Sequence, residues 1–221
     1  MTVLLKVGGA STNGATTAVA ELRALGHPVC VVHGAGPQIS EEMEKRGLEV
    51  RFVGGLRVTT AEALEVVRDS FRRVNAALCT AIGPDALGFA GDEVGLEAEH
   101  MPELGLVGHP LPTRPAAIER ALAAGRVPVV SPLARGPLNV NADEAAAALA
   151  VGLGAQRILF LTDVPGVFHD GRLLQSIPAA RAVQLVGQGS FDGGIVPKLL
   201  AAARAARSGL VAEIGATAVV A

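Results

Sequence analysis

At 221 residues, 50% of them hydrophobic and 18% charged, the chain has apolar material for a sizeable core in one large domain or two lobes sharing a sheet. A net charge of −2 excludes the broad basic field that nucleic acid or an anionic membrane surface requires. Six Phe with no Trp or Tyr give few platforms for stacking bases, and no apolar run nears the roughly 20 residues of a membrane-spanning helix.

In chain order, a strand-like run at 2–7 begins without a charged leader, which sets a cytoplasmic expectation. A helix at 15–25, a strand at 29–33 and a helix at 38–46 follow. Residues 49–59 alternate around Gly54-Gly55 as a short hairpin does, ahead of a helix at 61–82. The stretch 86–108, rich in Gly, Glu and Asp, reads as short strands and loops, and three prolines within 105–115 mark the join between the halves. Then come a helix at 115–124, a strand at 127–130, a helix at 142–153 and a strand at 157–162. Helices at 179–187 and 197–208 and a strand at 210–214 complete the pattern. Most strands are continuous apolar runs, which means they are covered on both faces. The alternation predicts an α/β fold, a three-layer αβα sandwich with a mainly parallel central sheet. The expected organisation is a single domain over 1–221, with an N-terminal lobe over about 1–114 and a C-terminal lobe over about 115–221. Cys30 and Cys79 sit in apolar runs and read as buried reduced thiols, not as a disulfide or metal site.

Open α/β sheets bind ligands beyond the carboxyl ends of their strands, and several segments fall there. Lys6 ends the first strand ahead of Val7-Gly8-Gly9; a lysine inside an apolar run needs a pocket or an anionic partner. His33-Gly34-Ala35-Gly36-Pro37-Gln38 joins the second strand to a helix, whose N-terminal amides attract an anion. It lacks the third glycine of the dinucleotide fingerprint, and the chain has no GxxxxGK[ST] loop. Arg57 follows the turn glycines, and its planar fork suits a carboxylate. In Asn139-Val140-Asn141-Ala142-Asp143-Glu144, Asn141 is a natural N-cap and Asp143 is placed to hold lysine ammonium groups. Lys198 opens a helix just after Gly193-Gly194-Ile195-Val196-Pro197. Each piece alone also reads as an ordinary turn, a surface arginine or a helix cap. The histidines show no metal spacing, and no Ser-His-Asp arrangement is visible.

Taken in order, KVGG at 6–9, HGAGPQI at 33–39, GLRVT at 55–59, NVNADEAA at 139–146, LTDVPGV at 161–167 and GGIVPK at 193–198 resemble the amino acid kinase family. Within it the similarity is to the branch that phosphorylates N-acetyl-L-glutamate in arginine biosynthesis. The resemblance implies transfer of the ATP γ-phosphoryl group to the amino acid's side-chain carboxylate. It implies that Lys6 and Lys198 are the transition-state lysines and that Asp143 organises both. Gly34, Ala35, Gly36, Arg57 and Asn139 match the amino-acid side; Gly8, Gly9, Asp163, Val164, Pro165, Gly166, Val167, Phe168, Ser190, Phe191 and Asp192 match the nucleotide side. Mg²⁺ is expected to ride mainly on the ATP phosphates, with no metal-binding residues in the protein. Ala35 stands where the family pattern has glycine, so its Cβ is expected to narrow the approach. The resemblance further implies an arginine-insensitive homodimer with no nucleic-acid or membrane partner. Two other readings fit the same motifs: a relative acting on carrier-linked 2-aminoadipate in lysine biosynthesis, and a non-catalytic amino-acid or nucleotide sensor.

Overall fold

The computed structural model describes residues 1–8, 12–162 and 164–221. Its main sheet contains β1 (Val3–Val7), β2 (Val29–His33), β3 (Ala86–Ala90), β4 (Val127–Ser131), β5 (Arg157–Phe160), β6 (Ser176–Pro178), β7 (Val211–Ile214) and β8 (Thr217–Val220). Across the sheet the order is β6-β8-β7-β5-β1-β2-β4-β3. Every neighbouring pair is parallel except β7 and β8, which form a hairpin. Strands β1, β2 and β4 bury every residue, as continuous apolar runs require when helices cover both faces.

Seven helices of eight or more residues are described: α1 (Thr12–Ala24), α2 (Gly36–Lys45), α3 (Ala61–Ile82), α4 (Ala116–Ala123), α5 (Ala142–Gly152), α6 (Ala179–Gly187) and α7 (Ile195–Arg207). Helices α1 and α3 cover one face, with α2 packed on α3; α4 to α7 cover the other. The period of two along β1 divides its side chains between these layers. Val3, Leu5 and Val7 join the core under α1 and α3, whereas Leu4 joins the alanine-rich core of α5 and α7. The three-layer, mainly parallel sandwich read from the sequence is therefore the architecture found.

The expected hairpin forms from Phe52–Val53 and Leu56–Arg57. Gly54 and Gly55 have φ of 56° and 80°, the positive pair that a two-residue turn matched to strand twist demands. The 86–108 stretch is short strands and loops as expected, the first of them, β3, joining the main sheet, but the expected join at 105–115 contains a strand, Val107–Pro110. That strand lies between Ala98–His100 and Leu138–Val140 in a second sheet, completed by Leu133–Ala134. Both sheets thus mix strands from either side of residue 114: β4 lies between β2 and β3. Cys30 is buried as expected, and burial pushes its thiol up to about 12, while Cys79 is only half-buried. No described helix is long and apolar enough to cross a membrane.

Candidate active site

The alternation that places Leu4 under α5 places Lys6 there too, at the carboxyl end of β1. Lys6 is only 5% exposed, and its Nζ lies 2.9 Å from Asp143 Oδ1. Lys198 approaches the other oxygen of the same carboxylate, with Nζ 4.0 Å from Oδ2, and donates to the Gly194 carbonyl at 3.1 Å. Both residues sit in the first turn of their helices, Asp143 in α5 and Lys198 in α7. These helices pack together along alanines, including Ala145 to Ala148 and Ala201 to Ala203, all buried. Small side chains let the backbones come close, so the two first turns meet. Asn141 caps α5: its Oδ1 accepts from the amides of Asp143 at 2.9 Å and Glu144 at 3.2 Å. The cap satisfies donors that the helix start leaves open and fixes where Asp143 leaves the backbone.

These groups line a cavity of about 500 Å³, together with Gly8, Gly34, Gly36 and Arg57. The N-termini of α2, α5 and α7 all open onto it through Gly36, Ala142 and Gly194, so each directs the positive end of its dipole inward. A second recess of about 540 Å³ lies between the Phe52–Arg57 hairpin and α7; it adjoins the first, sharing Gly55, Leu56, Asn141, Gly194 and Pro197 with it.

Arg57 sets the charge on the far wall. It is 7% exposed, and among the described residues no carboxylate pairs with it. Its guanidinium donates to Ser40 Oγ at 2.8 Å, the Gly36 carbonyl at 3.1 Å and Met43 Sδ at 3.3 Å, and lies 4.6 Å from the Phe52 ring centre. Burial pushes it down from the usual arginine range. A buried cation held by neutral acceptors beside a cavity is poised for an anionic ligand. Asn139 stands close by: its Nδ2 donates to Thr59 Oγ1 at 3.0 Å, and that hydroxyl donates to the Arg57 carbonyl at 2.9 Å. Among the described residues no grouping of three His, Cys, Asp or Glu side chains suits a metal ion. Two ammonium groups, an unpaired guanidinium and three helix N-termini instead suit phosphates and carboxylates.

The structure gathers Lys6, Gly8, Gly34, Ala35, Gly36, Arg57, Asn139, Asp143 and Lys198 around this cavity. Gly9 and Asp163 lie outside the described residues. The remaining expected nucleotide residues do not line the cavity. Their two segments approach each other elsewhere, where the His169 and Phe191 rings are 6.0 Å apart. Val164, Phe168, Ser190 and Asp192 are exposed there. Val167 departs from its expected role: its side chain is fully buried in the core, and its amide donates to Thr217 Oγ1 at 2.9 Å. The Gly34 amide is likewise taken, donating to the Val7 carbonyl at 2.9 Å. Ala35 is 1% exposed and packs with Ile39, Met43 and Phe71, so its methyl serves the core instead of narrowing the approach. Sequence reasoning missed Phe52, Phe71, Ser40 and Met43, and gave Thr59, the last residue of GLRVT, no role of its own. Phe52 alone carried a signal, because the hairpin register sets it opposite Arg57.

A sequence profile described as the amino acid kinase family matches residues 1–215. An acetylglutamate kinase of Rubrobacter xylanophilus is 42% identical over 222 residues, covering 96% of this chain and 88% of that protein. An acetylglutamate kinase of Solibacter usitatus is 41% identical over 227 residues, covering 95% and 88%. A crystal structure from Streptococcus mutans UA159 superposes with a TM-score of 0.88 at 24% identity, covering 99% of this chain and 98% of that one, a likeness of fold alone.

Proposed function

The chain belongs to the amino acid kinase family, and from that premise we propose that it transfers the γ-phosphoryl group of ATP to the side-chain carboxylate of N-acetyl-L-glutamate, yielding an acyl phosphate and ADP in arginine biosynthesis. One observation carries the reading: a single carboxylate, Asp143, faces lysines drawn from opposite ends of the chain, at 2.9 Å and 4.0 Å, on the wall of an anion-friendly cavity.

Acceptor carboxylate and nucleotide are both anions and repel each other. In this reading Lys6 and Lys198 offset that repulsion and stabilise charge on the migrating group, while Asp143 holds both ammonium groups in place so that little reorganisation is needed. Arg57, with Asn139 beside it, takes the α-carboxylate side of the amino acid, since it is a buried cation without a carboxylate partner among the described residues. Gly8, Gly9, Gly34, Ala35 and Gly36 are assigned to the phosphate and substrate approach, and 163–166, Phe168 and 190–192 to the nucleotide, with Val167 anchoring that loop in the core. The nucleotide supplies the phosphoryl group, and Mg²⁺ carried on its phosphates adds charge neutralisation. No general base is needed, because the acceptor is already ionised near neutral pH. The same family resemblance carries a cytoplasmic homodimer into the proposal, to be read by light scattering and fractionation.

A coupled ADP-release assay comparing N-acetylglutamate, glutamate and aspartate tests the reading. Turnover should require the acylated amino acid. Equal rates with free glutamate or aspartate would move the substrate assignment elsewhere, and no ADP release with any acceptor would remove the kinase.

A further inference from the structure

Asn75 lies on α3, outside every motif, yet it reaches the end of β2. Its Nδ2 lies 2.9 Å from the Val129 carbonyl and 3.1 Å from His33 Nε2. The carbonyl can only accept, so the group facing it must be the amide NH₂. The same NH₂ faces His33 Nε2, which must then be the unprotonated nitrogen. The ring proton of neutral His33 therefore sits on Nδ1, which faces the Gly34 carbonyl at 3.4 Å. Phe71 closes the ring edge-to-face, with centroids 5.9 Å apart. Asn75 itself has little room to turn: a Cβ on Gly88 would lie 2.2 Å from its Oδ1.

Gly34 is thus held on both sides. Its amide donates to the Val7 carbonyl at 2.9 Å, and its carbonyl accepts from His33 Nδ1. In a trans peptide the next N–H, that of Ala35, points opposite to this carbonyl. Among the described residues nothing accepts from the Ala35 amide, and Gly34, Ala35 and Gly36 line the cavity with both lysines. We propose that Asn75 and His33 are positioning residues: Asn75 fixes the His33 tautomer, and His33 fixes the Gly34–Ala35 peptide so that the Ala35 N–H is presented to the transferring phosphoryl group. The inference rests on the kinase reading above, but its first test does not require turnover.

Histidine labelled with nitrogen-15, followed by long-range proton–nitrogen correlation near neutral pH, reads the tautomer directly; loss of one signal in His33→Gln assigns it. The Nδ1–H form is expected in the otherwise unaltered protein, and an Nε2–H form would overturn the proposal even with full turnover. Asn75→Asp then offers His33 only acceptors. It should move the proton to Nε2 and lower kcat about tenfold with KM for both substrates within about twofold, as loss of aim on a transition-state donor does. A moved proton with unchanged kcat would refute the link to catalysis. Should Asn75→Asp fail to fold, Asn75→Ala is the variant read: loss of the pure Nδ1–H form with lower kcat supports the proposal, and an unmoved tautomer refutes Asn75's part in it. An Nδ1–H signal in a protein without any turnover would instead refute the kinase reading.

Discussion

Lys6 and Lys198 face one carboxylate but are not equivalent. The Lys6 side chain is 7% exposed and lies 2.9 Å from Asp143, whereas Lys198 is 18% exposed at 4.0 Å. Either substitution to alanine should lower kcat by on the order of 10²–10³, the loss typical of one transition-state donor. Only Lys6→Ala leaves a buried carboxylate without its close cation, so only it should also destabilise the fold, by about 3–5 kcal/mol. Urea unfolding alongside kcat separates the two effects; equal stability of both variants would mean that solvent reaches Asp143 easily. Arg57→Ala should instead raise KM for the amino acid with kcat little changed, because a grip on the far carboxylate acts equally in ground and transition states. A fall in kcat alone would place Arg57 at the reacting group. At this scale the sequence was readable where a charge stood beside glycines or a helix start, as at Lys6, Lys198 and Asp143. Thr59 and Phe71 gave no such sign, since each reaches the site through contacts with residues distant in the chain.

Among the elements, α5 shows how the site depends on close packing. Its C-terminal end carries Gly152, where a Cβ would lie 1.9 Å from the Thr113 carbonyl oxygen. Backbone cannot move aside as a flexible side chain can, so Gly152→Ala should destabilise by about 1–3 kcal/mol or more. Asp143 sits at the opposite end of the same helix, so kcat of the folded fraction should hold at low temperature while the unfolding midpoint drops. An unchanged midpoint would mean that the 113 loop shifts freely. Strand legibility followed burial in the same way. The runs at β1, β2 and β4 are covered on both faces and announce themselves, but β3 (ALGFA) is half-exposed and holds a glycine that accommodates Asn75. Strand β8 was hidden because only Gly215-Ala216, with Gly215 at φ 54°, separates it from β7. The proline-marked stretch misled because Pro110 is the last residue of its strand, beyond the pairing with Leu138–Val140, which stops at Gly108.

Over the whole molecule, strand-helix alternation was enough to read a layered parallel sheet, but not the way strands from both halves interleave in each sheet, which depends on long-range pairing. One consequence of that interleaving is a histidine sealed between layers. His33 is fully buried, and the groups around it, Asn75, Phe71 and the Gly34 and Val129 backbone, carry no charge. Desolvation outweighs the hydrogen bond to Gly34 and pushes its imidazole down to about 4. The unfolded chain protonates this ring near its ordinary value of about 6.5, so between roughly pH 6.5 and 4 the unfolded state binds a proton that the folded state refuses. Stability from this group is therefore complete above about pH 6.5, declines as pH falls through that window, and levels off below the folded value, a total of about 3 kcal/mol. Urea unfolding from pH 7 to 4, with His33→Gln as reference, isolates the term, because acidic groups titrate alike in both proteins. The unaltered chain should lose more stability than the variant across the window; parallel curves would mean that water or a neighbouring anion reaches the ring, and that the layers around β2 open more readily than their packing implies.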